Sequence, residues 1–273
     1  MPFAQLAKSP LNPEASEINI HYLDSGEGMP LLFLHGGWGY EVYPFDKQIA
    51  VFQSEFRILI PDRSGFGDST RISYLPPDFH GCAAGETLNF MDALEIDRAI
   101  LWGHSDGAVI AAKVGLQAPD RCAGIVLEAL HFLRRKPNSR PFFENMAGDP
   151  DLLGEKITTI LSRDHGEDWK KIILLNGDAW LRIAEDAPGD DADLYDGRLG
   201  ELSVPTVVIH GELDPRTEPG ELDAVRSAIG SNRVKVIEGA YHSPHSANSS
   251  FEQCNLLASE FLSSLEVRSR TAG

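Results

Sequence analysis

Residues 99–111 read Ala99-Ile100-Leu101-Trp102-Gly103-His104-Ser105-Asp106-Gly107-Ala108-Val109-Ile110-Ala111. The apolar run Ala99–Trp102 stops at a glycine, and a helical pattern, Ala108–Leu116, follows at once and ends before Pro119. Short apolar runs bounded by glycine suit strands of a sheet covered on both faces. The Gly-x-Ser-x-Gly between them leaves room only for a sharp strand-to-helix turn. Such a turn lifts the serine hydroxyl above the sheet, and the flanking glycines let the backbones pass closely. The helix behind it offers unbonded N–H groups and a positive dipole end, suited to a developing oxyanion. Alone the five-residue motif is weak; its strand-and-helix context makes it informative. Serine is also a common helix N-cap, so the rest of the chain has to decide its role.

Outward from this turn the same rhythm repeats. Similar apolar runs stand at Leu31–Leu34, Arg57–Ile60, Gly124–Leu127 and Thr206–Ile209, with a more polar one at Val234–Ile237 and an alternating one at Glu17–Leu23. Helical spacing occupies Phe45–Phe52, Phe79–Leu94, Glu221–Ile229 and Phe251–Leu265. Strands alternating with helices predict an α/β fold, a mostly parallel sheet with helices on both faces. From about His131 to Ser203 there is no strand-like run; Glu155–Leu161 and Trp169–Ile183 are the better helix candidates there. The expected organisation is therefore a core of residues 1–130 and 204–273 with a helical cap inserted at 131–203.

A neutral serine is a poor nucleophile and requires a base. Open α/β sheets place their sites at the carboxyl ends of strands. After Thr206–Ile209 comes His210-Gly211-Glu212-Leu213-Asp214-Pro215, and after Val234–Ile237 comes Glu238-Gly239-Ala240-Tyr241-His242-Ser243-Pro244-His245. The chain order Ser105, Asp214, His242 on matching loops points to nucleophile, orienting acid and base. Glu128 after Gly124–Leu127 competes with Asp214, and His245 competes with His242. His35-Gly36-Gly37-Trp38-Gly39 follows the first core strand, so the Gly37 or Trp38 N–H is expected to join that of Asp106 in an oxyanion hole. The Asp106 side chain has two readings, a partner for a cationic substrate group or a helix cap. Trp38, Trp169 and Trp180 are candidates to contact substrate; the last two lie eleven apart, on roughly one helical face. His35, His104 and His210 read as structural, and Arg63 as a brace for its loop. No metal-ligand spacing is present, and no metal or cofactor is expected.

These motifs, HGGWG at 35, PDRSGFGDS at 61, GHSDG at 103, HGELD at 210 and GAYHSPH at 239, resemble the α/β-hydrolase superfamily over about Ile18 to Leu265. The resemblance implies an eight-stranded sheet, a cap inserted after the sixth strand, and the triad Ser105, Asp214 and His242. The Ser-Asp-Gly elbow is similar to the esterase and lactonase branches, including hydrolases of α-amino-acyl esters. Prolyl aminopeptidases usually carry Trp after the serine and Pro where Trp38 stands, so the chain departs from them. Dehalogenases and most epoxide hydrolases of the fold use Asp where Ser105 stands. The expected activity is hydrolysis of a small-molecule ester or lactone through an acyl-enzyme. C–C bond hydrolysis is the rival chemistry, and a ligand receptor on the same scaffold the rival class.

Composition agrees with this class. The chain has 273 residues, 42% hydrophobic and 24% charged, with a net charge of −17. That acidity disfavours nucleic-acid and anionic-membrane partners. The basic cluster Arg134, Arg135, Lys136 and Arg140 reads as a solvated loop, as does the acidic run Glu185–Asp196. Three cysteines, Cys82, Cys122 and Cys254, read as free thiols in a reducing compartment. With no apolar stretch of membrane length and no basic-apolar leader pattern, the expected setting is cytoplasmic.

Overall fold

A computed structural model describes residues 1–271, with side chains as far as Leu265. Eight strands form one sheet: β1 Phe3–Leu6, β2 Ile18–Ser25, β3 Met29–Leu34, β4 Phe56–Pro61, β5 Ala99–His104, β6 Cys122–Glu128, β7 Thr206–Gly211 and β8 Val234–Ile237. Their order is β1-β2-β4-β3-β5-β6-β7-β8. β1 and β2 pair antiparallel at one edge, and β2 runs antiparallel to β4; from β4 to β8 every pairing is parallel.

Alternation within each strand divides the core between the two faces of the sheet. In β3, Leu31 and Phe33 pack with Phe45, Phe52 and Trp102 beneath the helices α1 (Asp46–Phe52) and α8 (Phe251–Thr271). Leu32 and Leu34 point the other way, toward Phe90, Val109 and Ala112 of α2 (Phe79–Ala93) and α3 (Asp106–Gln117). Both faces are therefore sealed by helices, which is why the central strands read as unbroken apolar runs. α7 (Glu221–Ile229) fills the crossover between β7 and β8.

Between β6 and β7 the chain builds three helices, α4 (Arg140–Gly148), α5 (Glu155–His165) and α6 (Trp169–Glu185). Among the described residues the insertion's one β-type pairing is an isolated bridge between Leu133 and Asp193. The first of these lies outside the better helix candidates, between the turn residues Pro137-Asn138-Ser139 and Asp149-Pro150; its Pro141 sits in the first turn, where its missing N–H costs nothing.

The basic cluster departs from its reading as a solvated loop. Lys136 is 4% exposed and its ammonium pairs with Glu221 at 2.7 Å, itself 1% exposed. Arg134 and Arg135 pair with Asp196 and Asp190, so the acidic run neutralises the basic one. No helix among the described residues is long and apolar enough to cross a membrane.

Candidate active site

β5 delivers Ser105 and α3 leaves from it, so the turn has no residue to spare. A Cβ on Gly103 would lie 2.0 Å from Gly107 O, and one on Gly107 would lie 1.9 Å from Leu34 O. Both positions therefore require glycine. Ser105 itself sits at φ 57°, ψ −121°, a conformation costing a non-glycine residue about 1–3 kcal/mol. The fold holds it there through Ser105 N–H donating to Glu128 O at 2.9 Å. Its hydroxyl makes no cap bond to α3, so the N-cap role leaves the side chain free for another.

That side chain meets the loop after β8. Ser105 Oγ lies 3.0 Å from His242 Nε2, and Nδ1 of the same ring lies 2.9 and 2.8 Å from the two carboxylate oxygens of Asp214, after β7. The contacts imply Nδ1–H donating to the carboxylate and Nε2 accepting from the serine. Burial pushes the Asp214 carboxyl up, but His242, His210 and the donating Arg216 N–H outweigh it and hold the group well below the usual range. Asp214 is thus an anion at any working pH.

The two rivals are occupied with each other. Glu128 accepts from His245 Nδ1 at 2.8 Å, from His245 N–H at 2.9 Å and from Trp102 Nε1 at 3.0 Å. His245 Nε2 lies 3.0 Å from Tyr43 O, and the ring stacks on Phe45. Both side chains are fully buried.

Asp106 requires a correction. Its carboxylate neither caps α3 nor faces a substrate cation. It is 1% exposed and accepts from His80 Nε2 at 3.2 Å, Trp180 Nε1 at 3.0 Å and Asn176 Nδ2 at 2.9 Å. Burial raises its pKa, yet His80, Arg63 and Asn176 bring it down to about 2. The charge is spent on tying α2 and α6 to the head of α3. The N–H groups of Gly37, Trp38 and Asp106 meet no backbone acceptor among the described residues, and all three residues line the cavity over Ser105. A Cβ on Gly37 would lie 2.6 Å from Asn176 Oδ1 and 2.8 Å from Asp106 Oδ2, so a larger residue there would displace that pair.

The cavity holds about 110 Å³. Trp38 and Trp180 line it; Trp169 does not, and packs half-buried with Lys170 against its ring. The two tryptophans share a face of α6, but eleven residues at 1.5 Å each set them about 16 Å apart. A larger cavity of about 620 Å³ lies on the far side of Phe143 and Trp180, which line both, and contains none of Ser105, Asp214 or His242. His35, His104 and His210 are buried, and the neighbours that bond them include backbone groups for the first two: His35 Nε2 accepts from Arg63 N–H and His104 Nε2 lies 3.0 Å from His242 O. Arg63 holds His35 O and Gly36 O. Among the described residues no three His, Cys, Asp or Glu side chains cluster as a metal site would require.

Two lining residues escaped the sequence. His131, three residues past β6, places Nε2 3.3 Å from Ser105 Oγ. Its ring stacks on His242 and stands edge-on to Trp180. Burial, then the Lys136 charge, holds it well below the usual histidine range, so it is neutral. Arg216, two residues past Asp214, reaches the cavity with its guanidinium carbon 3.4 Å from the Phe142 ring centroid. A histidine and an arginine beside turn residues carry no local pattern, and only the folded chain brings them to the serine.

The chain is 36% identical over 129 residues to epoxide hydrolase 2 of Siraitia grosvenorii, covering 44% of this chain and 38% of that protein. It is 27% identical over 253 residues to the pimeloyl-[acyl-carrier protein] methyl ester esterase of Nitrosomonas europaea, covering 83% and 93%. For the former and others of similar identity, the match spans about two fifths of the relative's length. A thermophilic esterase from Thermogutta terrifontis, solved with malate bound, shares the fold with a TM-score of 0.73 at 24% identity, over 97% of this chain and 99% of that one. Residues 31–251 match the model of the Alpha/beta hydrolase family.

Proposed function

The chain belongs to the Alpha/beta hydrolase family, and from that premise we propose that it is a serine hydrolase cleaving a carboxylic ester or lactone of a small molecule. The observation that carries this reading is the line from Asp214 through the His242 ring to Ser105 Oγ, with spacings of 2.8 and 3.0 Å. His242 takes the serine proton as Oγ attacks the carbonyl carbon. The N–H groups of Asp106 and of Gly37 or Trp38 hold the oxyanion. His242 then protonates the leaving oxygen, and later draws a proton from the water that cleaves the acyl-enzyme. Asp214 fixes the imidazole tautomer and stabilises its charged form.

The insertion 131–203 acts in this reading as a cap, since Phe142, Phe143, Met146, Asn176 and Trp180 wall the cavity from α4 and α6. A space of about 110 Å³ is well below the roughly 300–1,000 Å³ of drug-sized pockets. The acyl group is therefore short. The test is hydrolysis of a methyl-ester and lactone series from two to ten acyl carbons. Turnover is expected to peak at the short end and to fall steeply beyond it. Absence of turnover across every ester and lactone in the series would remove the reading.

A further inference from the structure

Resting on that reading, we propose that Arg216 recognises an anionic group of the substrate, so that the preferred ester or lactone carries a carboxylate. Arg216 is the one lysine or arginine among the residues lining the cavity over Ser105. Elsewhere on this acidic chain several arginines pair with carboxylates: Arg57 with Asp24, Arg121 with Asp92, Arg134 with Asp196, Arg163 with Glu41. For the Arg216 guanidinium, no carboxylate oxygen lies within 4.0 Å among the described residues, and its side chain makes no hydrogen bond with them. An arginine left unpaired beside a nucleophile, in a protein with 41 acidic and 24 basic residues, has its donors available for a ligand.

Its geometry fits that use. The guanidinium carbon lies 3.4 Å over the Phe142 ring centroid, a spacing that two facing planes fit and that leaves the N–H edges to a ligand. Those edges match the two oxygens of a carboxylate, and Arg suits this fork where Lys offers only a point charge. The stack also spans the loop after β7 and helix α4, so the side chain is anchored before a ligand arrives. Burial lowers the Arg216 pKa, against Asp214 and Tyr43, without approaching neutrality.

The other charges at the site do not compete for the ligand. The Asp106 carboxylate is saturated by His80, Asn176 and Trp180, and that of Asp214 by His242 and the Arg216 N–H. The net charge of −17 works against an approaching anion, but that field is screened over about 8 Å at physiological salt. A preference for anions is therefore a contact effect, and Arg216 is the contact.

The experiment compares kcat/KM for monomethyl succinate and for its neutral isostere, methyl succinamate, in the wild type, Arg216→Gln and Arg216→Lys. A charged hydrogen-bonded contact predicts a wild-type preference for the anion of at least about tenfold. The ratio falls to near one in Arg216→Gln and is partly kept in Arg216→Lys. A wild-type ratio at or below one, or the same ratio in Arg216→Gln, overturns the proposal while ester hydrolysis itself stands. If neither ester is turned over, calorimetry with succinate decides the anion site, and the ester and lactone series decides the hydrolase reading. Succinate binding lost in Arg216→Gln, with succinamide not bound, supports it; equal binding in both proteins overturns it.

Discussion

At the scale of single residues, Ser105 stands between two imidazoles with different work. His242 Nε2 at 3.0 Å accepts the hydroxyl proton, because Asp214 holds the proton on Nδ1. His131 Nε2 at 3.3 Å approaches from another side and, being neutral, can donate one hydrogen to Oγ. That donation holds the hydroxyl in its rotamer and is worth about 0.5–1.5 kcal/mol, a loss of about three- to tenfold in kcat. His131→Phe should show that loss with KM little changed, and His131→Asn should recover part of it because the amide still donates. Equal losses in both variants would make the ring a packing element only. Ser105, Asp214 and His242 were legible in the sequence because each lies just past a strand run, in the order and places that such a site uses. His131 was not, because it lies three residues beyond β6 and nothing around it repeats. Asp106 was legible as a residue beside the nucleophile, but its partners His80, Asn176 and Trp180 are 26, 70 and 74 positions away.

At the scale of elements, α4 and α6 of the insertion wall the cavity over Ser105. Phe143 of α4 and Trp180 of α6 stack at 5.0 Å between ring centroids and 13° between planes, forming the wall between the small cavity over Ser105 and the larger one beyond. Trp180 is fixed by its bond to Asp106, whereas Phe143 is held by packing alone. Phe143→Ala should therefore join the two cavities and move the optimum of the acyl series toward longer chains. Phe143→Leu, which opens less space, should move it less. An unchanged chain-length profile in both variants would mean that the wall does not set substrate length. The three insertion helices follow from their sequences unequally. α6 has long helical spacing and was expected, α5 was expected in part, and α4 is too short to stand out among the pieces between turn residues. Likewise β1 was missed, because a four-residue edge strand with alternate burial offers too short a pattern.

At the scale of the whole molecule, the fold buries histidines as neutral rings. His35, His80, His104, His131, His165 and His210 all lie below the ordinary value, His104 near about 3 and His165 near about 4, with burial the leading cause in each. In the unfolded chain they take up protons below about pH 6.5, while the folded chain does not. Stability is thus fully present above that value and is lost as pH falls, by at most about 1.4 kcal/mol per pH unit for each ring. Asp164, Asp62 and Glu86 work the other way: burial raises each, Asp164 to about 7, so their contributions fall as pH rises through the raised values. Six rings outweigh three carboxyls. The urea midpoint should drop steeply from pH 7 to pH 5, and a flat profile would contradict the neutral-histidine account. The overall architecture was legible because sheet strands sealed on both faces must be apolar along their length, and these are. The charge pairing of residues 134–136 with 190–221 was not, since it depends on how the insertion closes on itself. The central claim is that Ser105 is an activated nucleophile, and the most direct measurement is covalent labelling by a fluorophosphonate with mass mapping of the modified peptide. The account predicts one adduct on Ser105, lost in Ser105→Ala and strongly slowed in His242→Gln, with folding of both variants intact by circular dichroism. Labelling elsewhere, or undiminished labelling of Ser105→Ala, would contradict it.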